Sequence, residues 1–253
     1  MRISVHGRPV VGLFVSCLVD LIRPSIGFAA VKLIEAAGCK VEVPAMQTCC
    51  GQPAYNSGDK ETARDLARMT IEAFSRVDYV VVPSGSCAGM LKAHYPRVFA
   101  GDPVWEAKAR AFAERVHELV SFLVDVRGMR AVDATFHGRV TYHDSCSGLR
   151  ELGIKEQPRT LLASVKGLEL VEMRDCEECC GFGGTFAVKY PDISNAIVEK
   201  KTANVARVEP NLLLAGDLGC LMNMAGKLRR EGRTVAVRHV AEVLAGELDD
   251  PPM

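Results

Sequence analysis

Eight of the ten cysteines form two copies of one pattern, and this repeat constrains the chain more than any other feature. Cys17, the adjacent pair Cys49 and Cys50, and Cys87 recur as Cys146, the pair Cys179 and Cys180, and Cys220. Matched members are displaced by 129, 130 and 133 residues, and a glycine follows each pair, at Gly51 and Gly181. Isolated core thiols have no reason to recur in register. Two equivalent metal sites in a duplicated domain do.

The duplication divides the 253 residues into two candidate domains, 1–130 and 131–253. The stretch from Arg127 to Gly138, rich in breakers, is the candidate boundary. Charge narrows the function classes. Thirty-one basic and 31 acidic residues cancel, and no Lys/Arg stripe alternates with aromatics, so nucleic acid is not an expected partner. No apolar run reaches the roughly 20 residues of a membrane span. Arg2 and Arg8 ahead of Val10 to Ser16 superficially resemble an export leader ending at Cys17. The match of Cys17 to Cys146 deep in the chain gives that cysteine a different reason, and a cytoplasmic location is expected. A reducing compartment directs the cysteines towards metal or redox duty instead of disulfides.

The periodicity predicts why these spacings converge. Val10 to Val15 reads as a strand, Leu18 to Ala37 as one helix closed by Gly38, and Cys39 to Val43 as a second strand before the Cys49-Cys50 loop. A helix over Asp59 to Val77 leads to an apolar strand, Tyr79 to Pro83, and to Cys87. The second copy repeats the order. Strands at Arg139 to Tyr142, Leu168 to Glu172 and Asn211 to Ala215 precede Cys146, the Cys179 pair and Cys220, with helices at Gln157 to Ser164 and Pro191 to Arg207. The tails are expected to differ: a helix from Val104 to Val126 in the first copy, an apolar run Thr234 to Val237 and a helix from His239 to Gly246 in the second. The fold class is therefore α/β, two homologous strand-helix repeats with parallel sheets, their cysteines at the carboxyl ends of the strands.

Soft thiolates select zinc or iron-sulfur clusters. Adjacent cysteines do not easily reach one small ion but can reach different irons of a cluster, so the pairs favour iron-sulfur, with zinc in one or both sites as the alternative. Gly51, Gly181, Gly183 and Gly184 permit unusual backbone angles and let amides approach cluster sulfur. The chain carries no G-x-G-x-x-G.

Each copy resembles the CCG cysteine-rich domain, found twice in the cysteine-rich component of heterodisulfide reductase and in the iron-sulfur component of glycolate oxidase. The stretches Cys17-Leu-Val-Asp20, Cys49 to Gly58, Pro83 to Cys87, Cys179 to Phe186 and Gly219 to Asn223 are similar to the lactate-utilisation protein A family. That resemblance implies an oxidoreductase subunit carrying electrons as L-lactate becomes pyruvate, with proteins like lactate-utilisation proteins B and C as partners and a small 2-hydroxy acid as substrate. A zinc-bound scaffold protein and a thiol or disulfide oxidoreductase are the alternatives. The reductase relatives end each copy in C-x-x-C, where this chain has Met90 and Asn223. Four thiolates per copy suffice for an ordinary [4Fe-4S] cluster.

Outside the pattern, Cys39 reads as a core thiol. Cys176, three residues before Cys179, reads as a loop cysteine, with a fifth ligand as the other reading. His143 replaces Phe14 beside the second set and is a candidate proton carrier, which marks the second site as the reactive one.

Overall fold

The computed structural model describes residues 7–253; Arg2 of the leader-like start lies outside them. Strands β1 (Val10–Leu13), β2 (Lys40–Glu42), β3 (Tyr79–Val82) and β4 (Val116–Glu118) form one sheet in the order β2-β1-β3-β4. Strands β5 (Thr135–His143), β6 (Lys166–Leu170), β7 (Leu212–Ala215) and β8 (Ala236–His239) form a second, ordered β6-β5-β7-β8. Every pairing is parallel. The duplication extends to register: Val11 faces Tyr79 in the first sheet, and the matched Val140 faces Leu212 in the second. Central β3 and β7 are almost wholly apolar, as strands buried on both faces must be.

The helix expected over Leu18 to Ala37 is two helices, Cys17–Ile22 and Ser25–Ala36. Pro24 at the break has no amide hydrogen to donate and its ring obstructs the preceding turn. The break turns Arg23 onto the buried Glu242, with Nε 2.9 Å from Oε1.

The helix expected over Val104 to Val126 is likewise interrupted. Helix Pro103–Glu114 ends, β4 adds a fourth strand, and helical turns follow over Leu119–Ser121 and Phe122–Val126. Val-His-Glu is too short to show a strand period. The two tails share a final strand and helix, since β8 and helix Val240–Ala245 repeat β4 and the turns after it, and they differ by helix Pro103–Glu114, which has no counterpart between helix Leu218–Arg230 and β8.

One apolar core runs through both halves, joining Val11, Leu33 and Val81 to Tyr142, Leu214 and Val243. Helix Ser25–Ala36 packs on helix Val240–Ala245. Helix Gly85–Gly89 packs on helix Cys146–Leu152, and helix Cys17–Ile22 on helix Leu218–Arg230. These last two contacts exchange when the halves are exchanged, so the halves meet as the protomers of a two-fold dimer do. Among the described residues no helix is long and apolar enough to cross a membrane.

At this meeting, Glu118 at the end of β4 lies beside a small cavity lined also by Tyr142, Asp144, Ser145, Leu149 and Ile154. Its carboxylate accepts from the Ser121 amide at 3.0 Å. Burial pushes its pKa up to about 7, against the downward pull of the Ser121 and Val120 amides, and the Asp217 carboxylate adds to the rise. The folded group thus titrates above the ordinary 4.5, and its contribution is fully present below pH 4.5 and lost as pH rises through 7. We expect Glu118→Gln to gain roughly 3 kcal/mol on the wild type between pH 4.5 and 7.5. Urea titrations at stepped pH measure this difference, and a flat difference curve refutes it.

Candidate metal centres

Each cysteine set is gathered by the loops that leave the carboxyl ends of three strands. In the first, Ser16 caps the helix that opens with Cys17, its Oγ accepting from Val19 N at 3.4 Å. Gln47 pins the Cys49 loop to the end of β1: its Oε1 accepts from Val15 N at 2.8 Å and its Nε2 donates to Leu13 O at 3.4 Å. The Tyr95 hydroxyl donates to the Cys50 carbonyl at 3.0 Å, and Ser84 Oγ caps the helix of Cys87 by accepting from Cys87 N at 3.3 Å.

The second set uses other side chains for the same tasks. Asp217 Oδ1 accepts from Cys220 N at 3.4 Å, and Asn223 Nδ2 donates to the Cys180 carbonyl at 2.8 Å. Asn223 thus holds the backbone of the pair as Tyr95 does in the first half. The Cys176 loop is fixed by the Asp144 amide on Cys176 O at 3.1 Å and by Lys201 Nζ on Asp175 O and Cys176 O at 2.6 and 3.1 Å.

Within each set the thiols lie close enough to govern one another's ionisation in sequence order, Cys17 with Cys49, Cys49 with Cys50 and Cys50 with Cys87, repeated as Cys146, Cys179, Cys180 and Cys220. All ten cysteines are free. The inner members, Cys50, Cys87, Cys180 and Cys220, are buried, while Cys17, Cys49, Cys146 and Cys179 are half-buried. Electrostatics repeat as well. Hydrogen bonds from Cys17 and Cys50 hold Cys49 as a thiolate, its pKa down at about 2 with help from the Gly51 amide. Cys146, Cys180 and the Gly181 amide do the same for Cys179, also at about 2. The neighbours move the other way: the bond to Cys49 and burial raise Cys17, and the bond to Cys179 and burial raise Cys146. Four thiols gathered at the ends of three strands fit a positively charged sulfur-bound group, whose arrival drives off their protons.

Gly51, Gly181, Gly183 and Gly184 all have positive φ, at 81°, 82°, 53° and 64°. The Gly181 amide lies 3.3 Å from Cys179 Sγ. Gly183 and Gly184 form the turn into helix Phe186–Lys189. Cys176 touches a different group: Arg159 Nη2 lies 3.9 Å from its sulfur, and its thiol contacts Asp144, which Arg159 grips through both oxygens at 2.9 Å. Cys39 is buried in the shared core.

His143 is wholly buried, and neither ring nitrogen has a hydrogen-bond partner. Burial and then the Lys201 charge push its pKa down to about 3, against a weaker upward pull from Cys179 and the Cys176 carbonyl. A nitrogen of the ring and the sulfurs of Cys180 and Cys220 lie within 4.8 Å of one another.

Three residues escaped the sequence reading. Asp217 joins the centres, because its Oδ2 also accepts from Ser84 Oγ at 3.0 Å and from Ser86 N at 2.9 Å across the meeting of the halves. Its place three residues before Cys220 was the available signal, that of a helix cap. Lys201 and Glu118 lie far from any cysteine in sequence and carried none.

The family described as "Cysteine-rich domain" (CCG) matches residues 11–92 and 140–225, one match per half. The chain belongs to this family, and each matched stretch contains one of the two thiol sets. Within it the chain groups with proteins called Lactate utilization protein A. It is 49% identical to the one from Oceanobacillus iheyensis over 92% of this chain and 96% of that protein. It is 51% identical to the one from Geobacillus sp. (strain WCH70) over 92% of this chain and 98% of that protein. Among solved structures, a hypothetical protein from Helicobacter pylori superposes with a TM-score of 0.68 at 10% identity. That match covers 97% of this chain and 51% of the other, which shows the fold alone.

Proposed function

We propose that this chain takes part in lactate utilisation as an oxidoreductase subunit, passing electrons through two sulfur-bound metal centres while L-lactate becomes pyruvate. Its expected partners are proteins like lactate-utilisation proteins B and C. The observation that carries the reading is the pair of matched four-thiol sets at the strand ends of a chain about half identical to proteins of that name.

Cys17, Cys49, Cys50 and Cys87 would hold one group, and Cys146, Cys179, Cys180 and Cys220 the other. Iron-sulfur clusters of the [4Fe-4S] kind would supply one-electron chemistry at each site. Lactate gives up two electrons, so two centres in one chain suit the stoichiometry. The protein's own part is to shield the inner thiols, to aim amides such as that of Gly181 at sulfur, and to fix the centres relative to each other through Asp217. A zinc-bound scaffold is the second reading, favoured by the nitrogen and sulfur donors that meet at the second site.

Anaerobic purification followed by metal and acid-labile sulfide analysis separates the readings. Iron with sulfide supports electron transfer; stoichiometric zinc without sulfide supports the scaffold. Cys49→Ser and Cys179→Ser should each lower metal content by about half, since the damage falls on one set. Full metal content in both variants refutes the ligand assignment.

A further inference from the structure

The two centres match in backbone and thiols but not in the side chains set against them. Phe14 is buried in the first half, its ring 5.8 Å from Phe74. At the matched position, 129 residues on, stands His143. The helices behind the two loops repeat the difference. Ala63, Ala67 and Thr70 correspond to Ser194, Val198 and Lys201 at a constant displacement of 131, all six buried.

An imidazole with two unpartnered nitrogens is an expensive thing to bury, costing about 1–3 kcal/mol for each group left unsatisfied. A phenyl ring at the same place in the first half shows that the fold does not need one. His143 has no hydrogen-bonding task, and the Cys176 carbonyl beside it is already engaged by Asp144 N and Lys201 Nζ. The remaining polar company is sulfur. Metal–sulfur and metal–nitrogen bonds of about 2.3 and 2.0–2.1 Å bring tetrahedral donors within about 4 Å of one another. His143, Cys180 and Cys220, within 4.8 Å before any ion draws them in, form such a set. All three are buried, whereas the outer thiols Cys146 and Cys179 are half-buried.

We propose that His143 is a metal ligand of the second centre, acting with Cys180, Cys220 and one of the outer thiols in place of the other, so that the chain carries one all-thiolate centre and one mixed thiolate–imidazole centre. The inference rests on the metal-centre reading above. It also takes a ring nitrogen of His143 out of proton transfer, the role the sequence suggested for it.

The test begins with elemental analysis of the full chain, which decides the probe. If the second centre holds iron, pulsed paramagnetic resonance of reduced protein labelled with 15N-histidine should show the strong coupling of a directly bonded nitrogen. That coupling should vanish in His143→Phe and in His143→Cys, while Phe14→Leu keeps it. If it holds zinc, absorption at the zinc edge should show one nitrogen with three sulfurs, changing to four sulfurs in His143→Cys. His143→Cys offers a replacement donor and so guards against the Phe variant failing to fold. Absent or weak histidine coupling, coupling unchanged by the substitutions, or an all-sulfur zinc shell in the wild type overturns the proposal while leaving the metal-centre reading intact. A chain without metal overturns both, and elemental analysis alone reveals it.

Discussion

Asp217→Ala is expected to destabilise the protein by about 4 kcal/mol and to reduce metal content at both centres, although Asp217 belongs to neither set. Its carboxylate caps the helix of Cys220 and, from the other half, accepts from Ser84 Oγ and Ser86 N. Losing a cap costs about 1 kcal/mol, and each buried donor left without an acceptor adds about 1–3 kcal/mol. Ser84 in turn caps the helix of Cys87, so the damage crosses to the first centre. Urea unfolding with metal analysis of the same samples checks both parts. Asp217→Asn keeps an acceptor oxygen and should fall between. A loss confined to the second centre would mean that the bonds to Ser84 and Ser86 do not couple the sites.

The second large effect separates two glycines that the sequence presents as equivalents. Gly51 and Gly181 adopt the same left-handed backbone, at φ 81° and 82°. A Cβ on Gly51 would meet Leu66 at an ordinary 3.5 Å, whereas one on Gly181 would stand 2.7 Å from the Ser194 carbonyl oxygen, in the backbone of helix Pro191–Arg207. Gly51→Ala should therefore cost only the left-handed strain, about 1–2 kcal/mol. Gly181→Ala adds an overpacking cost, for about 3–5 kcal/mol in all, and displaces the loop of Cys179. Thermal unfolding of the two variants side by side decides, and equal losses would show that helix Pro191–Arg207 shifts freely.

The sequence was most legible where the duplication spoke twice. Strands ending at Cys17 and Cys87, and their counterparts at Cys146 and Cys220, stood out because apolar runs met recurring cysteines, and parallel pairing followed from the alternation. It was least legible where a short element had only tertiary support. β4 is three residues whose pairing to β3 makes it a strand, and its counterpart β8 was visible only as an apolar run. The signal of Pro24 was outweighed by the helical period around it. At the site, thiols declare themselves by spacing. Asp217, Glu118 and Lys201 do not, because their work depends on the approach of elements far apart in the chain. The burial of His143 without a partner is equally a property of the assembled fold.

The shared core has a consequence for how the chain could be divided. Val11, Leu33 and Val81 of the first half lie in the same apolar cluster as Tyr142, Leu214 and Val243 of the second. A fragment made of either sheet alone would present that face to water. The halves are therefore related as the protomers of an obligate dimer are, held in one chain by a connection near residues 127–134 that itself packs on the shared core through Met129, Val132 and Ala134. A tether of that kind guarantees equal numbers of both parts at very high effective concentration. Two sites of common descent are thus free to diverge in their side chains while the chain guarantees that neither is ever made without the other.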